Sequence, residues 1–158
     1  MKTNDCLKTP KWIYDSLRPF DLDPCAGPDT FIAEENWCLH CDTPIDGLSR
    51  QWTTRGFKSF IWCNPPFSQK AVWIERMKEH NHGILILPER ASAPWFGPLA
   101  SFVGQYFIMG KKINFVGGPS SNNLGSCLFP FGETARERLR KSGLPGMMVE
   151  VLSYKGRD

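Results

Sequence analysis

Asn64-Pro65-Pro66-Phe67 puts an amide, two prolines and an aromatic ring between an apolar run, Phe60-Ile61-Trp62-Cys63, and a stretch patterned like a helix. The prolines fix φ near about −65° and donate no amide hydrogen, so the backbone there is stiff and presents only carbonyl acceptors. The side-chain oxygen of Asn64 and the carbonyl of Pro65 can face the two hydrogens of a planar exocyclic amine, while Phe67 stacks on a flat heterocycle. Accepting both hydrogens draws the nitrogen lone pair out of conjugation and frees it to attack an electrophile placed on the opposite side. That is chemistry by orientation and preorganised dipoles, with no strong base required. The competing reading is a plain strand terminator with Phe67 packed in the core.

A second group is Asp21-Leu22-Asp23-Pro24-Cys25-Ala26-Gly27, where an apolar run ends in a carboxylate and passes into a turn of small residues. Small residues let a ligand approach the backbone closely, and Asp23 can pair with a cationic or hydroxyl-bearing part of it. Neither GxGxxG spacing nor a phosphate-cradling loop is present. On its own the segment also fits a turn capped by its aspartate.

These groups must be positioned by elements, and short apolar runs alternating with helix-like patterns indicate an α/β protein. Strands are expected at Phe20–Asp23, Phe57–Cys63, Gly83–Pro88, Gln105–Met109, Ser126–Phe131 and Met147–Tyr154, with a weaker one at Trp37–Cys41. Helices are expected at Pro10–Leu17, Ser68–His80, Pro94–Val103 and Thr134–Ser142. Ser68 and Thr134 are read as caps, Thr134 and Glu137 as a capping box, and Gly143 and Pro145 as the stop of the last helix. The nearly continuous apolar run Gly83–Pro88 suits a central strand of a mostly parallel sheet with helices on both faces, and the last strand suits an edge. In such sheets ligands bind beyond the carboxyl ends of the strands, where both Asp23 and Asn64 fall.

The chain has 158 residues, 41% of them apolar, with a formal net charge of +3. One globular domain over residues 1–158 is expected. The mild basic bias permits a polyanionic partner without demanding one. No apolar run approaches the length of a membrane span and the polar start is unlike a signal peptide, so a cytoplasmic location is expected. There, cysteines are expected as buried, reduced thiols. The closest pair, Cys38 and Cys41, could join His40 and either His80 or His82 on zinc, but no second ligand pair lies at zinc-finger spacing, and no metal is expected.

Taken together the motifs resemble the S-adenosyl-L-methionine-dependent amino-methyltransferases, and more closely the small phage and prophage (Dam-like) DNA N6-adenine methyltransferases. The elements of that family occur in order: Thr9-Pro10 with Trp12, Leu22 to Ala26, Asp46-Gly47-Leu48 with Trp52, Asn64 to Phe67, Leu87-Pro88 with Trp95, and Lys111-Lys112-Ile113-Asn114-Phe115. The resemblance implies a Rossmann-like methyltransferase fold. It also implies a cofactor site at Asp23, Pro24, Cys25 and Ala26, with Thr9, Pro10 and Trp12 over the methionine end and Asp46 near the adenine end. Asn64, Pro65, Pro66 and Phe67 would then hold an adenine flipped out of duplex DNA. Asn64 and Phe67 stand where the acid and tyrosine of the commoner DPPY turn would be, each keeping the acceptor or the ring. Glu34 and Glu35 are the candidates for the acid that grips the cofactor ribose. The stretch between the cofactor turn and Asn64 is too short for a separate target-recognition domain.

An adenine amine lies inside the duplex stack, so the base must be extruded and held by stacking and edge contacts. Arg90, Lys111 and Lys112, with Arg55 a further candidate, would anchor phosphates. Asn122 and Asn123, in the Gly-rich loop 116–125, could pair with adenine in a groove. Two other functions remain open at this point: methylation of an amine in RNA or of a protein glutamine, and non-catalytic nucleic-acid binding.

Overall fold

The computed structural model describes residues 8–115 and 125–156. Asn122 and Asn123 lie outside them. The chain opens with α1 (Lys11–Tyr14), prolonged by a 3-10 turn over Asp15–Leu17, and then enters β1 (Leu22–Asp23) and β2 (Glu35–Asn36). A hairpin, β3 (Thr53–Thr54) and β4 (Phe57–Lys58), leads into β5 (Ile61–Cys63). After it come α2 (Lys70–His80), β6 (Gly83–Pro88), α3 (Phe96–Val103), β7 (Gln105–Ile108), β8 (Ser126–Phe131), α4 (Glu133–Lys141) and β9 (Gly146–Val149).

Seven strands form one sheet in the order β2-β1-β5-β6-β8-β7-β9. The ladders β2 to β1, β1 to β5 and β5 to β6 are parallel, while β8 runs antiparallel to both β6 and β7, and β9 antiparallel to β7. The central sheet is therefore largely parallel, since only β8 and β9 oppose the common direction. The crossover from β6 through α3 leaves a gap that β8 fills from the other direction. The chain also reverses its order of addition between β1 and β5, and the crevice at such a reversal is where open α/β sheets accept ligands.

Alternation along the central strands divides the core between two faces. Ile61, Cys63, Leu85 and Leu87 meet α2 and α3 through Trp73, Met77, Phe96 and Leu99. Trp62, Ile84 and Ile86 meet α1 and α4 through Ile13, Ala135 and Leu139. Both faces are covered, which is why β6 carries no polar side chain.

Several boundaries differ from the sequence expectation, each for a local reason. Phe57–Cys63 divides in two, because Arg55 and Gly56 adopt positive φ (52° and 79°) and close a two-residue hairpin before the sheet strand begins. The weak strand lies at Glu35–Asn36 instead of Trp37–Cys41, because the chain leaves the sheet into a turn in which the Ile45 N–H donates to the Cys38 carbonyl. Helix α2 starts at Lys70, after a 3-10 turn over Phe67–Gln69 that contains Ser68. Helix α4 starts at Glu133 with Gly132 as its cap and no side-chain capping bond, so Thr134 lies inside the first turn and no capping box forms. Gly143, at φ 70°, follows the end of α4 as expected.

Candidate functional site

Asp23 ends β1 and is 2% exposed. Its Oδ1 accepts the Cys25 N–H at 3.2 Å, bending the chain into the small-residue turn, and the Ala26 N–H donates to the Trp37 carbonyl at 2.9 Å, tying that turn to the backbone after β2. The Cys25 and Cys63 sulfurs lie 3.5 Å apart, so the turn after β1 rests on the last residue of β5. Asn64 follows at once, half-buried, with its Nδ2 donating to Thr9 Oγ1 at 3.0 Å. The two strand ends that the sequence singled out are thus adjacent.

The third wall comes from Asp46-Gly47-Leu48. Asp46 Oδ1 accepts the Leu48 N–H at 2.9 Å, and the buried Trp52 indole N–H donates to the Gly47 carbonyl at 2.8 Å. A Cβ on Gly47 would fall on the carbonyl of Pro24, so glycine is what lets this turn lie against the one after β1.

Together they enclose a cavity of about 450 Å³ whose walls include Thr9, Asp23, Pro24, Cys25, Ala26, Asp46, Asn64 and Pro66. This volume falls in the range of small-molecule sites, at the topological position where such a fold accepts them. Pro10, Trp12, Pro65 and Phe67 are not among its walls. Trp12 carries the Lys111 ammonium 4.3 Å from its ring centroid. Phe67 is half-buried, with Lys70 Nζ at 4.3 Å and the Arg90 guanidinium carbon at 5.6 Å from its ring. Arg90 follows the end of β6 and Lys111 and Lys112 follow the end of β7, so these cations arise at the same end of the sheet as Asn64. Neither Glu34 nor Glu35 lines the cavity; Glu34 pairs with Arg55 of the hairpin.

Cys38 and Cys41 form a disulfide, contrary to the expectation of reduced thiols. Their Cα atoms are 5.7 Å apart, within bonding reach because the chain turns tightly between them. With both sulfurs joined, this pair is not available as thiolate ligands, and no group of three or more His, Cys, Asp or Glu among the described residues could hold a metal ion. The disulfide closes the turn that presents Leu39 and His40 to the cavity rim. Sequence reasoning did not assign these two residues to the site, nor Trp62 and Trp73, which also line it and whose buried indole N–H groups lack a partner among the described residues. The CxxC spacing marked the turn without saying what it faces.

Burial pushes the Asp23 carboxyl up to about 7, against the opposing effect of the Cys25 N–H. A buried carboxylate with raised pKa at a cavity wall is the kind of group that a cationic ligand would stabilise. Because its folded pKa lies above its unfolded one, the folded protein binds more protons between about pH 4 and pH 7, and Asp23 lowers stability progressively as pH rises through that window. Unfolding free energies at pH 5 and pH 8 should therefore diverge between the wild type and Asp23→Asn, with the variant gaining at pH 8 by roughly 2–3 kcal/mol relative to pH 5. An identical difference at both pH values would remove Asp23 as the source.

No helix of the described residues is long and apolar enough to cross a membrane. A family model described as DNA N-6-adenine-methyltransferase (Dam) matches residues 1–139. No curated protein and no solved structure matches the chain.

Proposed function

The chain belongs to the DNA N-6-adenine-methyltransferase (Dam) family, and on that premise we propose that it methylates the exocyclic N6 amine of adenine in DNA, using S-adenosyl-L-methionine and a target base flipped out of the duplex. The observation that carries this reading is the adjacency of two strand ends. A buried carboxylate in a small-residue turn lies beside the Asn-Pro-Pro turn, whose prolines offer only carbonyl acceptors, across one cavity at the reversal between β1 and β5.

The cavity fits the cofactor on several counts. Its size suits a nucleoside bearing an amino-acid arm. The Gly47 cradle brings two backbone turns together without a side chain between them. Asp23, held unpaired with any cation among the described residues, would gain from a positively charged partner. Bound there, S-adenosyl-L-methionine supplies an activated methyl group on a sulfonium. Asp23 to Ala26 would hold it from one side, Thr9 and Asp46 from others, and Pro10 and Trp12 would shape the approach from the start of α1. Asn64 Oδ1 and the Pro65 carbonyl would accept the two amine hydrogens of the target, turning its lone pair toward the methyl group. Phe67, outside the cofactor cavity, would stack on the extruded base, with Pro66 keeping the turn rigid.

Incubating the protein with labelled cofactor and genomic DNA from a methylation-deficient host tests this. Label in DNA as N6-methyladenine is the expected result. Label only in RNA or protein, or cofactor binding with no turnover on any of them, would overturn it.

Arg90, Lys111 and Lys112 would contact phosphates, and the two lysine ammonium groups, on flexible stems, act as point charges that carry no sequence information. Changing Lys111 and Lys112 together to alanine is expected to weaken DNA binding and to reduce the slope of log affinity against log salt by about 2. The methylated consensus, read by modification-sensitive sequencing, should not change. An altered consensus would move these residues to base readout.

A further inference from the structure

We propose that the segment 150–156 carries a DNA contact, with Tyr154 and Lys155 meeting backbone phosphates of the duplex near the flipped base. This inference rests on the reading of the chain as a DNA methyltransferase, and it concerns residues beyond 139, where the family match ends.

Strand β9 runs antiparallel to β7 and finishes with Val149 opposite Gln105, at the start of β7. Glu150 therefore leaves the sheet at the end away from Asn64. The chain then turns back. A Cβ on Gly104, at the C-cap of α3, would lie 2.9 Å from the Val149 carbonyl, while one on Gly97, in the first turn of α3, would collide with the Tyr154 ring. Between these points Val151 packs against the core that includes Phe96, Leu99 and Val103. Residues 150–154 thus run along α3 in the direction opposite to the helix. Because α3 starts where β6 finishes, they bring Tyr154 back to the end of the sheet that holds Asn64.

The neighbourhood there is cationic. Arg90 is joined to Gly97 by two successive turns, in which the Ala93 N–H donates to the Arg90 carbonyl at 2.9 Å and the Phe96 N–H to the Ala93 carbonyl at 3.1 Å. The Arg90 guanidinium reaches the Phe67 ring, so a short path leads from the proposed stacking residue to Tyr154. Tyr154 is 48% exposed and Lys155 is exposed, and neither side chain has a hydrogen bond or ion pair among the described residues. Glu150, the one acid of the segment, stays behind at the other end, paired with Arg140. A phenol hydroxyl and an ammonium beside Arg90 suit phosphate oxygens. Glycine at position 97 is what lets the ring lie against the helix.

The test is binding of the full chain to a fluorescently labelled duplex of mixed sequence across a salt series, read by anisotropy. Tyr154→Ala is expected to weaken binding about tenfold, the equivalent of one lost hydrogen bond to a charged group. Gly97→Ala keeps every residue of the segment and displaces only the ring, so it should weaken binding to a similar extent. Combining the two should cost no more than Tyr154→Ala alone. Lys155→Ala should reduce the slope of log affinity against log salt by about 1. Affinity for S-adenosylhomocysteine, measured by calorimetry, should not change in any of them. A segment that only braces α3 would lower the melting temperature of Tyr154→Ala and leave DNA affinity and slope at their wild-type values, and that result overturns the proposal. So does wild-type DNA affinity in Gly97→Ala beside a weakened Tyr154→Ala. A wild-type chain that binds no DNA would instead remove the reading of DNA as substrate, and this contact with it. Should Tyr154→Ala fail to fold, judged by its circular dichroism melt, Lys155→Ala, changed at an exposed position, decides through its slope.

Discussion

Replacing Asn64 with alanine is expected to slow methyl transfer by about 10²–10³-fold, the usual consequence of removing one preorganised group aimed at a reacting centre. The loss should fall mainly on the rate. As the amine gives up conjugation its hydrogens become better donors to the acceptors in front of them, so the interaction is stronger in the transition state than in the bound substrate. Affinity for S-adenosylhomocysteine should change much less, because most of the cavity is built by the turns around Asp23 and Gly47 and not by this side chain. Single-turnover kinetics at saturating cofactor, together with calorimetry, separate the two effects. A wild-type rate would reduce Asn64-Pro65-Pro66 to a strand terminator.

The second large effect is expected at Phe67. Loss of a base stack worth roughly 1–3 kcal/mol should lower kcat/KM by about tenfold to a hundredfold in Phe67→Ala. Here base capture suffers along with rate, in contrast to Asn64→Ala. Tyrosine or tryptophan at this position should keep much of the activity, since each retains a ring. The structural basis is that Phe67 is half-buried outside the cavity walls, with Lys70 and Arg90 close to its ring. Fluorescence of a 2-aminopurine at the target position reports extrusion directly. Flipping unaffected by Phe67→Ala would leave the ring a packing residue.

The elements around the site were legible because their chemistry is local. Consecutive prolines can end a strand in few ways, and an apolar run such as Gly83–Pro88 needs cover on both faces, so β5, β6 and the turn between β5 and α2 follow from residue types alone. The adjacency of Asp23 and Asn64 could also be expected, since both end strands of one sheet. The antiparallel insertion of β8 could not. Ser126–Phe131 is as buried as β6 beside it, and strand direction is decided by connections instead of composition. Glu34 illustrates a different limit: acidic and near β2, it was a reasonable ribose ligand, yet it pairs with Arg55 because a hairpin tip folds back beside it. Leu39 and His40 were not assigned to the cavity since the reducing environment assumed for the chain left no reason to expect a crosslinked turn. Cavity walls assembled from loops are the least readable part, because each loop contributes one or two ordinary residues.

The placement of β8 between β6 and β7 also has a consequence in time. Strand β6 finds its most extensive partner not in the strand that follows it but in residues 126–131, with six paired positions from Gly83 to Pro88. During synthesis β6 therefore emerges with one flank unmatched, and β7, made next, has no place beside it. Until Phe131 has left the ribosome the nascent chain carries a bare apolar strand flank, the feature that invites mispairing with other chains. Closing that long loop is the entropic toll of the fold, and a ribosome stalled between β7 and β8 would hold the protein in its most aggregation-prone form.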